Sequence, residues 1–433
     1  MKHWFKNSSF RSLLKNSSYL ALSRIVSAIC GVATLAFAGR GLGPTSFGLL
    51  VLIHSYALLA SGIAKFQSWQ LVINYGAPAL HRDDPKPFHE SIGFALGLDI
   101  YSGLIGMAVA IAVLPWVGPW FQIPSELIPF AMIYCILLPT MGAATPIGVL
   151  RTLDRFDLVG WQSTVTPIMR AGLACIAWWN DAPFLAYMGI WFITDLSGDL
   201  FIWFLAWREL RRRGLMTGIR PLLRPRNLED AWRFAINVNL ATSLNAARGP
   251  LANLLVGVIL GPAAAGLYRI GKTIAQSIDK PADLLNKAFY PEVVRLDFAS
   301  KHPWKLMLRA IALSSMIAGL ACAVILIGGE YLVTVLFGEK YQGSYVVAVT
   351  MLIATFLGVV TFPVTPMLYA LRHTEVPLVG DALGVGVLLL MLYPLCIWLG
   401  LIGAGLSFMF GSIVSIAWRV SALRRHYVRL RKI

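Results

Sequence analysis

The chain has 433 residues, of which 57% are hydrophobic and only 13% are charged. Because a soluble globular protein carries about 25% charged residues, this composition excludes an ordinary soluble protein. In a membrane protein, the formal charge of +16 is informative through its distribution between the two sides rather than through its sum. We therefore expect membrane lipids, and no nucleic acid, among the partners of this chain.

Apolar runs recur along the whole chain. Each is close to the roughly 20 residues that a helix needs to cross a bilayer core of about 30 Å. The pattern predicts an all-α polytopic membrane protein with about twelve transmembrane helices in two six-helix halves, residues 1–206 and 233–433, joined by a basic linker at 207–232. We place the helices at residues 17–38, 46–66, 89–114, 125–150, 158–179, 184–206, 233–259, 264–289, 307–329, 345–370, 377–399 and 402–422.

The first half holds several charged residues within its predicted helices. Arg24 lies in the first helix, about two turns from its cytoplasmic end, where its side chain could also reach the lipid head groups. Arg170 and Asp195 lie at similar depths on either side of the short turn at 180–183, so we expect them to form an ion pair. Asp199 lies one turn from Asp195 and is a candidate for pairing or for ion coupling.

Basic residues lie almost entirely on one side of the predicted topology. The two ends of the chain, the linker and four other connections hold every Lys and Arg outside the predicted helices except Arg40 and Lys340. Because cytoplasmic loops carry the excess of Lys and Arg, both termini are predicted to be cytoplasmic.

A short motif of the first half recurs in the second half. Residues 42–49 are LGPTSFGL and residues 260–267 are LGPAAAGL, so Leu, Gly, Pro, Gly and Leu match at identical spacing. Both copies fall in the turn between the first and second helices of a half, where Pro ends a helix and Gly permits a tight reversal. Two repeated halves around a central cavity are typical of transporters.

The second helix of the C-terminal half has one charged face. At about 100° per residue, its polar side chains fall within an arc of about 120°, and apolar side chains occupy most of the remainder. Arg248, in the preceding helix, adds a further cation within the membrane. The polar members of the face are Arg269, Lys272, Gln276, Asp279, Lys280, Asp283, Asn286 and Lys287.

Two interpretations of this face compete. It could belong to an amphipathic helix on the membrane surface, or to a set of internally paired ions that only pack; alternatively, it lines a water-filled cavity within the membrane. Removing this crossing would invert every later loop and destroy the charge asymmetry, which favours the cavity. The excess of Lys and Arg over Asp then predicts an anionic substrate, above all a phosphate.

The sequence has no signature of an enzyme. It has no metal-spaced cluster of His or Cys, no phosphate-binding Gly loop in a soluble segment and no Ser–His–Asp candidate. His54 is a lone histidine in a predicted helix, where we expect it to pack. We therefore predict no catalytic residue, no metal and no cofactor, and expect transport to use an ion gradient, H⁺ or Na⁺, or the gradient of the substrate itself.

These features together resemble the oligosaccharide-lipid flippases for O-antigen and polysaccharide repeat units, which share a superfamily with the MATE antiporters. The resemblance covers essentially the whole chain and rests on the stretch NSSYLALSRIVSAICGVATLAFAGRGLGPTSFGLL, the twelve helices in two halves and the LGP repeat. The turn Arg-x-Leu-Gly-Pro with a following Phe-Gly is fairly characteristic of the group and appears here as Arg40, Leu42, Gly43, Pro44, Phe47 and Gly48.

The resemblance implies a bacterial inner-membrane protein that moves a polyprenyl-pyrophosphate-linked glycan to the outer leaflet by alternating access, with other polysaccharide-assembly proteins as further partners. It also implies two six-helix bundles with a cationic lumen, in agreement with the charged face. The residues expected to bind the pyrophosphate and acidic sugars are Arg24, Arg248, Arg269, Lys272, Lys280 and Lys287. Those expected to pair with cations or to couple transport to an ion are Asp195, Asp199, Asp279 and Asp283.

Two alternatives stay open. A multidrug or cation antiporter shares the scaffold, but should have an unpaired acidic residue in the first helix of a half, and residues 17–38 contain Arg24 and no Asp or Glu. A polysaccharide polymerase or ligase acts on the same lipid, but the outer connections of the predicted topology are too short for a separate catalytic domain.

Overall fold

The structure is a computed structural model that describes residues 8–82, 84–279, 282, 285–286, 289, 292–293, 296, 298, 302–373 and 375–430. Within these ranges every regular element is helical. The α-helices are α1 Ser8–Ala64, α2 Ser68–Leu71, α3 Ala77–His81, α4 Pro85–Val117, α5 Ile128–Cys135, α6 Ala144–Thr152, α7 Phe156–Trp179, α8 Phe184–Arg212, α9 Ala231–Leu260, α10 Pro262–Gln276, α11 His302–Phe337, α12 Gly343–Val360, α13 Val364–Ala370, α14 Glu375–Leu399 and α15 Leu401–Leu430. A π-helix at Val72–Gly76 and 3₁₀ turns at Ser125–Leu127 and Glu339–Tyr341 complete them.

The helices confirm an all-α polytopic membrane protein. Seven helical stretches among the described residues are long and apolar enough to cross a membrane, and one of them, Ile25–Leu80, overlaps two predicted spans. Over the described residues, each of the twelve predicted spans coincides largely with helix, although three are interrupted: at 136–143, after Gln276 and at 361–363. The cytoplasmic orientation of the termini stays a prediction.

Proline explains two of these interruptions. A proline ring inside a helix clashes with the carbonyl of the residue four positions earlier and provides no N–H. Pro139 and Pro363 lie four residues after Cys135 and Val359, and the helices α5 and α12 end at Cys135 and Val360. The sequence therefore contains the signal for each break, although the apolar run continues through it.

The two copies of the LGP motif adopt the same backbone conformation. α1 consists of two helical pieces joined at Gly43, which has φ 72° and ψ 170°. Gly261, at the equivalent place before α10, has φ 90° and ψ 168°. Positive φ is readily adopted only by glycine, and the Pro that follows has the fixed φ that suits the first turn of a helix. The repeated motif is therefore a repeated helix–turn–helix structure.

The chain divides into two compact units. The first contains the residues up to Gly41 together with Leu52–Leu251, and the second contains Leu42–Val51 together with the residues from Ala252 onward. Buried side chains such as Phe88, Phe94 and Ile202 form a core of the first unit, and Tyr268 and Met351 belong to a core of the second. The predicted boundaries of the halves, 1–206, 207–232 and 233–433, stay a prediction.

The two LGP repeats touch through glycine inside the second unit. A Cβ atom on Gly48 would lie 1.8 Å from the carbonyl oxygen of Pro262, and one on Gly266 would lie 3.3 Å from backbone atoms of Gly48. Gly48 and Gly266 occupy the same position of the LGPxxxGL motif. The motif therefore uses its second glycine to bring two backbones into contact.

The linker between the predicted halves is held against α4. The N–H of Leu222 donates to the carbonyl of Gly93 at 3.0 Å, and a Cβ atom on Gly97 would lie 2.3 Å from the carbonyl oxygen of Leu222. The carboxylate of Glu90 accepts a hydrogen bond from the N–H of Asn227 at 2.8 Å. This basic segment is therefore part of the packed first unit.

A charged cluster joins the start of α7 to the end of α8. The carboxylate of Glu209 accepts hydrogen bonds from Arg155 at 2.7 Å and from Arg213 at 2.9 Å. Arg155 also donates to Asp157 at 2.8 Å, and these hydrogen bonds with Asp157 raise the pKa of the Arg155 guanidinium. The cluster fixes the two helices together at their adjacent ends.

Candidate functional site

A cavity of about 400 Å³ lies in the first unit beside two helix interruptions. One interruption separates α1 from α2 at residues 65–67, and the other separates α5 from α6 at residues 136–143. Within a membrane, non-helical backbone is tolerated where it is buried in protein or lines a cavity. The cavity is lined by Leu58, Ser61, Gly62, Lys65, Phe66, Gln67, Met141, Gly142, Ala144, Asp195, Asp199, Ala246 and Pro250.

Lys65 joins the two interruptions. Its side chain is buried, with only 6% of the residue exposed. The ammonium group donates hydrogen bonds to the carbonyl of Pro139 at 2.9 Å and to that of Met141 at 2.6 Å. The non-helical backbone at 136–143 leaves these two carbonyls without the N–H partners that a continuous helix would supply, since the N–H of Ala143 bonds to Thr140 and that of Thr145 to Asp99. Lys65 is not among the predicted site residues; Pro139 inside an apolar run signals a helix break, but not the side chain that bonds to it.

Asp99 holds the starts of both helices that follow the interruptions. The residue is 1% exposed, and its carboxylate accepts hydrogen bonds from the Ser68 hydroxyl at 2.7 Å and from the N–H and hydroxyl of Thr145 at 2.9 and 2.7 Å. Ser68 and Thr145 lie at the N-termini of α2 and α6, where a negative charge is favourable. Asp99 is therefore a structural anchor of the cavity wall.

The predicted ion pair between Arg170 and Asp195 is present. Asp195 also accepts a hydrogen bond from the Tyr134 hydroxyl at 2.9 Å, and Arg170 donates from Nε to the Thr194 hydroxyl at 2.7 Å. The Tyr134 hydroxyl lies 2.9 Å from Nδ1 of His54, so this histidine has a polar partner in addition to its packing. The charge of Asp195 is therefore compensated before any ligand enters the cavity.

Asp199 differs from Asp195 in its contacts. It lies four residues after Asp195 on α8, and residues at this spacing share a helix face, so both carboxylates line the cavity. Within the described part of the chain, Asp199 has neither a hydrogen-bond partner nor an ion-pair partner. Nearby, Gln67 accepts a hydrogen bond from Trp69 Nε1 at 3.3 Å through its amide oxygen, which leaves its NH₂ group as a donor.

None of the predicted phosphate-binding cations that the structure describes is among the lining residues of this cavity. Arg248 is half-buried on α9, and on α10 Arg269 is half-buried whereas Lys272 is only 8% exposed. Asp279 is half-buried beyond the end of α10. Lys280, Asp283, Lys287 and the side chain of Arg24 lie outside the described residues. Because α10 ends at Gln276, the predicted charged face does not continue along one unbroken helix, and its role as a phosphate site stays a prediction.

Solved structures of transporters share the fold of the whole chain. A multidrug resistance MATE family transporter of the MOP superfamily, in an inward-facing conformation, superposes with a TM-score of 0.75 over 95% of this chain and 99% of its own, at 15% identity. The Vibrio cholerae MATE transporter VcmN in the bent form gives a TM-score of 0.62 over 98% of this chain and 99% of its own, at 14% identity. The predicted MATE-like fold is confirmed.

The sequence relationships are more specific. Residues 13–296 match the family described as "Polysaccharide biosynthesis protein", and the chain belongs to this family. The chain is also 40% identical over 347 residues to "Inner membrane protein YghQ" of Escherichia coli (strain K12), a match that covers 80% of this chain and 98% of that protein. The predicted location, a multi-pass protein of the bacterial inner membrane, is confirmed by these relationships.

Proposed function

We propose that this protein is a flippase that translocates polyprenyl-pyrophosphate-linked oligosaccharide repeat units across the inner membrane by alternating access. Its family takes part in polysaccharide biosynthesis, and its fold is that of membrane transporters. A lipid-linked glycan is the form of a polysaccharide precursor that a membrane transporter of this kind would carry. The protein would act as a transporter without a catalytic residue.

One observation carries the choice of an anionic substrate. Lys272 is only 8% exposed within α10, and Arg269 is one turn away on the same helix. A buried cation in a membrane helix is costly and marks a substrate or ion pathway. Arg and Lys both bind phosphate, Arg through a planar fork and Lys as a point charge. A pyrophosphate head group therefore matches the chemistry of this helix.

The test is complementation of a deletion strain. A triple variant with Arg248, Arg269 and Lys272 changed to Gln should accumulate lipid-linked oligosaccharide and lose surface polysaccharide. The matched control changes three exposed cations, Arg211, Arg212 and Arg220, to Gln, which removes the same charge and should leave export intact. Normal export by the first variant, at equal protein level, would contradict the cationic mechanism.

A cation or drug antiporter has one observation in its favour. Asp199 lines a cavity of the first unit without a partner among the described residues, and such a carboxylate can bind a cation or a proton. In this case the deletion strain should become more sensitive to cationic dyes while its surface glycan stays unchanged. For the flippase, Asp199 and Asp279 stay candidates for coupling to H⁺ or Na⁺, since Asp195 is already paired with Arg170.

A further inference from the structure

We propose that the cavity of the first unit binds an uncharged sugar residue of the transported glycan. This inference rests on the proposed function, because it assigns a part of the same substrate to a second site. It concerns only the wall formed by the interruptions at 65–67 and 136–143 and by α8.

The size of the cavity suits a sugar. Pockets for small ligands have volumes of about 300–1,000 Å³, and this cavity, at about 400 Å³, lies near the lower limit. One or two pyranose rings fit such a volume, whereas a polyprenyl chain does not. The glycan is therefore the part of the substrate that this cavity can enclose.

The wall offers both donors and acceptors. Lys65 is more than nine-tenths buried, and it uses two of its three ammonium hydrogens on the carbonyls of Pro139 and Met141; within the described part of the chain, the third hydrogen has no acceptor. Asp199 supplies a carboxylate and Gln67 an amide NH₂ group. Sugar hydroxyls donate and accept at the same time, so they have the chemistry to bond to each of these three groups.

The charges favour the uncharged part of the substrate. Among the described residues, Lys65 and Asp199 line the cavity without an ion-pair partner and have opposite charges that offset each other, whereas Asp195 is neutralised by Arg170. With these charges offset, the wall has no net attraction for a phosphate, and a phosphate in contact with Asp199 would be repelled by the like charge. Phe66 and Leu58 supply apolar surface for the C–H face of a sugar ring.

The inference can be tested by saturation-transfer NMR on the purified full-length protein. The probes are methyl glucoside and methyl N-acetylglucosaminide, which are uncharged, and glucose 1-phosphate, which carries the same ring with a phosphate. Saturation should pass to at least one uncharged probe and not to glucose 1-phosphate. Asp199→Asn and Gln67→Met should each weaken binding of the uncharged probe about tenfold, because the first replaces a charged acceptor with a weaker, uncharged one and the second removes an amide donor.

Asp181→Asn is the matched control. Asp181 is exposed in the turn between α7 and α8 and has φ 47°, a conformation that Asn also adopts readily, so binding should not change. Wild-type binding by both the Asp199 and Gln67 variants would overturn the inference, as would tighter binding of glucose 1-phosphate. An Asp199→Asn variant with intact sugar binding and an altered pH dependence of glycan export would identify Asp199 as an ion-coupling residue instead.

The two proposals fail in different ways. If the deletion strain shows that the protein exports the lipid-linked glycan but no uncharged sugar binds, only the sugar site is wrong. If deletion leaves glycan export intact, the flippase function is wrong whatever the NMR experiment shows.

Discussion

The contact between the LGP repeats makes Gly48→Ala the sharpest test of the fold. The added Cβ would lie 1.8 Å from the Pro262 carbonyl oxygen and 2.3 Å from its carbonyl carbon. Real Cβ atoms essentially never approach a non-bonded heavy atom of another residue within 3.0 Å. The two backbones would therefore have to separate by more than about 1 Å. Overpacking typically costs about 1–3 kcal/mol, and we expect the upper end because a backbone carbonyl cannot rotate away.

Two further alanine variants calibrate this expectation. In Gly266→Ala the new Cβ would lie 2.9 Å from a ring carbon of Phe47 and 3.3 Å from the backbone of Gly48; the ring can turn, so the loss should be smaller. Gly189, in α8, has no heavy atom within 4 Å of such a Cβ. Gly189→Ala should be neutral or should stabilise the protein by up to about 1 kcal/mol, because alanine is the better helix former.

The assay is thermal unfolding of the three purified variants in the same detergent, followed by tryptophan fluorescence. The melting temperature should fall most for Gly48→Ala, less for Gly266→Ala and not at all for Gly189→Ala. A melting temperature of Gly48→Ala equal to that of Gly189→Ala would refute the close contact of the two repeats.

Three charged residues of the first unit give further predictions for the same assay. Lys65→Met should lower stability by about 1–3 kcal/mol, because it leaves two buried carbonyls without a donor; the exposed Lys86→Met should not, and equal melting of the two variants would contradict the bridge. Asp99→Asn should destabilise the protein by a similar amount, since an amide oxygen accepts fewer and weaker hydrogen bonds than a carboxylate. An unchanged melting temperature of this variant would rule out the anchoring role of Asp99. Glu209→Gln should weaken the α7–α8 cluster by about 1–3 kcal/mol with little dependence on salt, because Glu209 is only 6% exposed; a loss that disappears at high salt would show that the cluster acts as a surface pair.

The features predicted correctly from the sequence are those set by local chemistry. An apolar run of about 20 residues satisfies its backbone in lipid by forming a helix, so each predicted span coincides with helix over most of its described residues. Gly43 and Gly261 precede Pro in both repeats, and the same local demand for positive φ gives them the same conformation. The Arg170–Asp195 pair could also be predicted, because a short turn places the two residues at the same depth.

The cavity could not be predicted because its contacts join distant parts of the chain. Lys65 donates hydrogen bonds to carbonyls more than 70 residues away, and nothing in the local sequence pairs this lysine with a distant helix break. Asp99 likewise reaches Thr145 at 2.7 Å across 46 residues. The interruption after Gln276 could not be predicted either, since a sequence read at 3.6 residues per turn does not reveal the turn at 277–278.

The charged and polar groups of the two units help to decide which class of substrate the protein transports. A lipid-linked glycan combines a doubly anionic pyrophosphate with uncharged sugars. A single binding site with a carboxylate does not favour both, because a carboxylate that accepts hydrogen bonds from sugar hydroxyls repels phosphate. Arg269 and Lys272 belong to the second unit, whereas Asp199 and Gln67 belong to the first, together with Lys65 and Arg248. A cationic drug would suit Asp199 but not the cations of α10. Under the proposed function, the two kinds of site together select a ligand that carries both chemistries, which neither free phosphate nor a hydrophobic cation does.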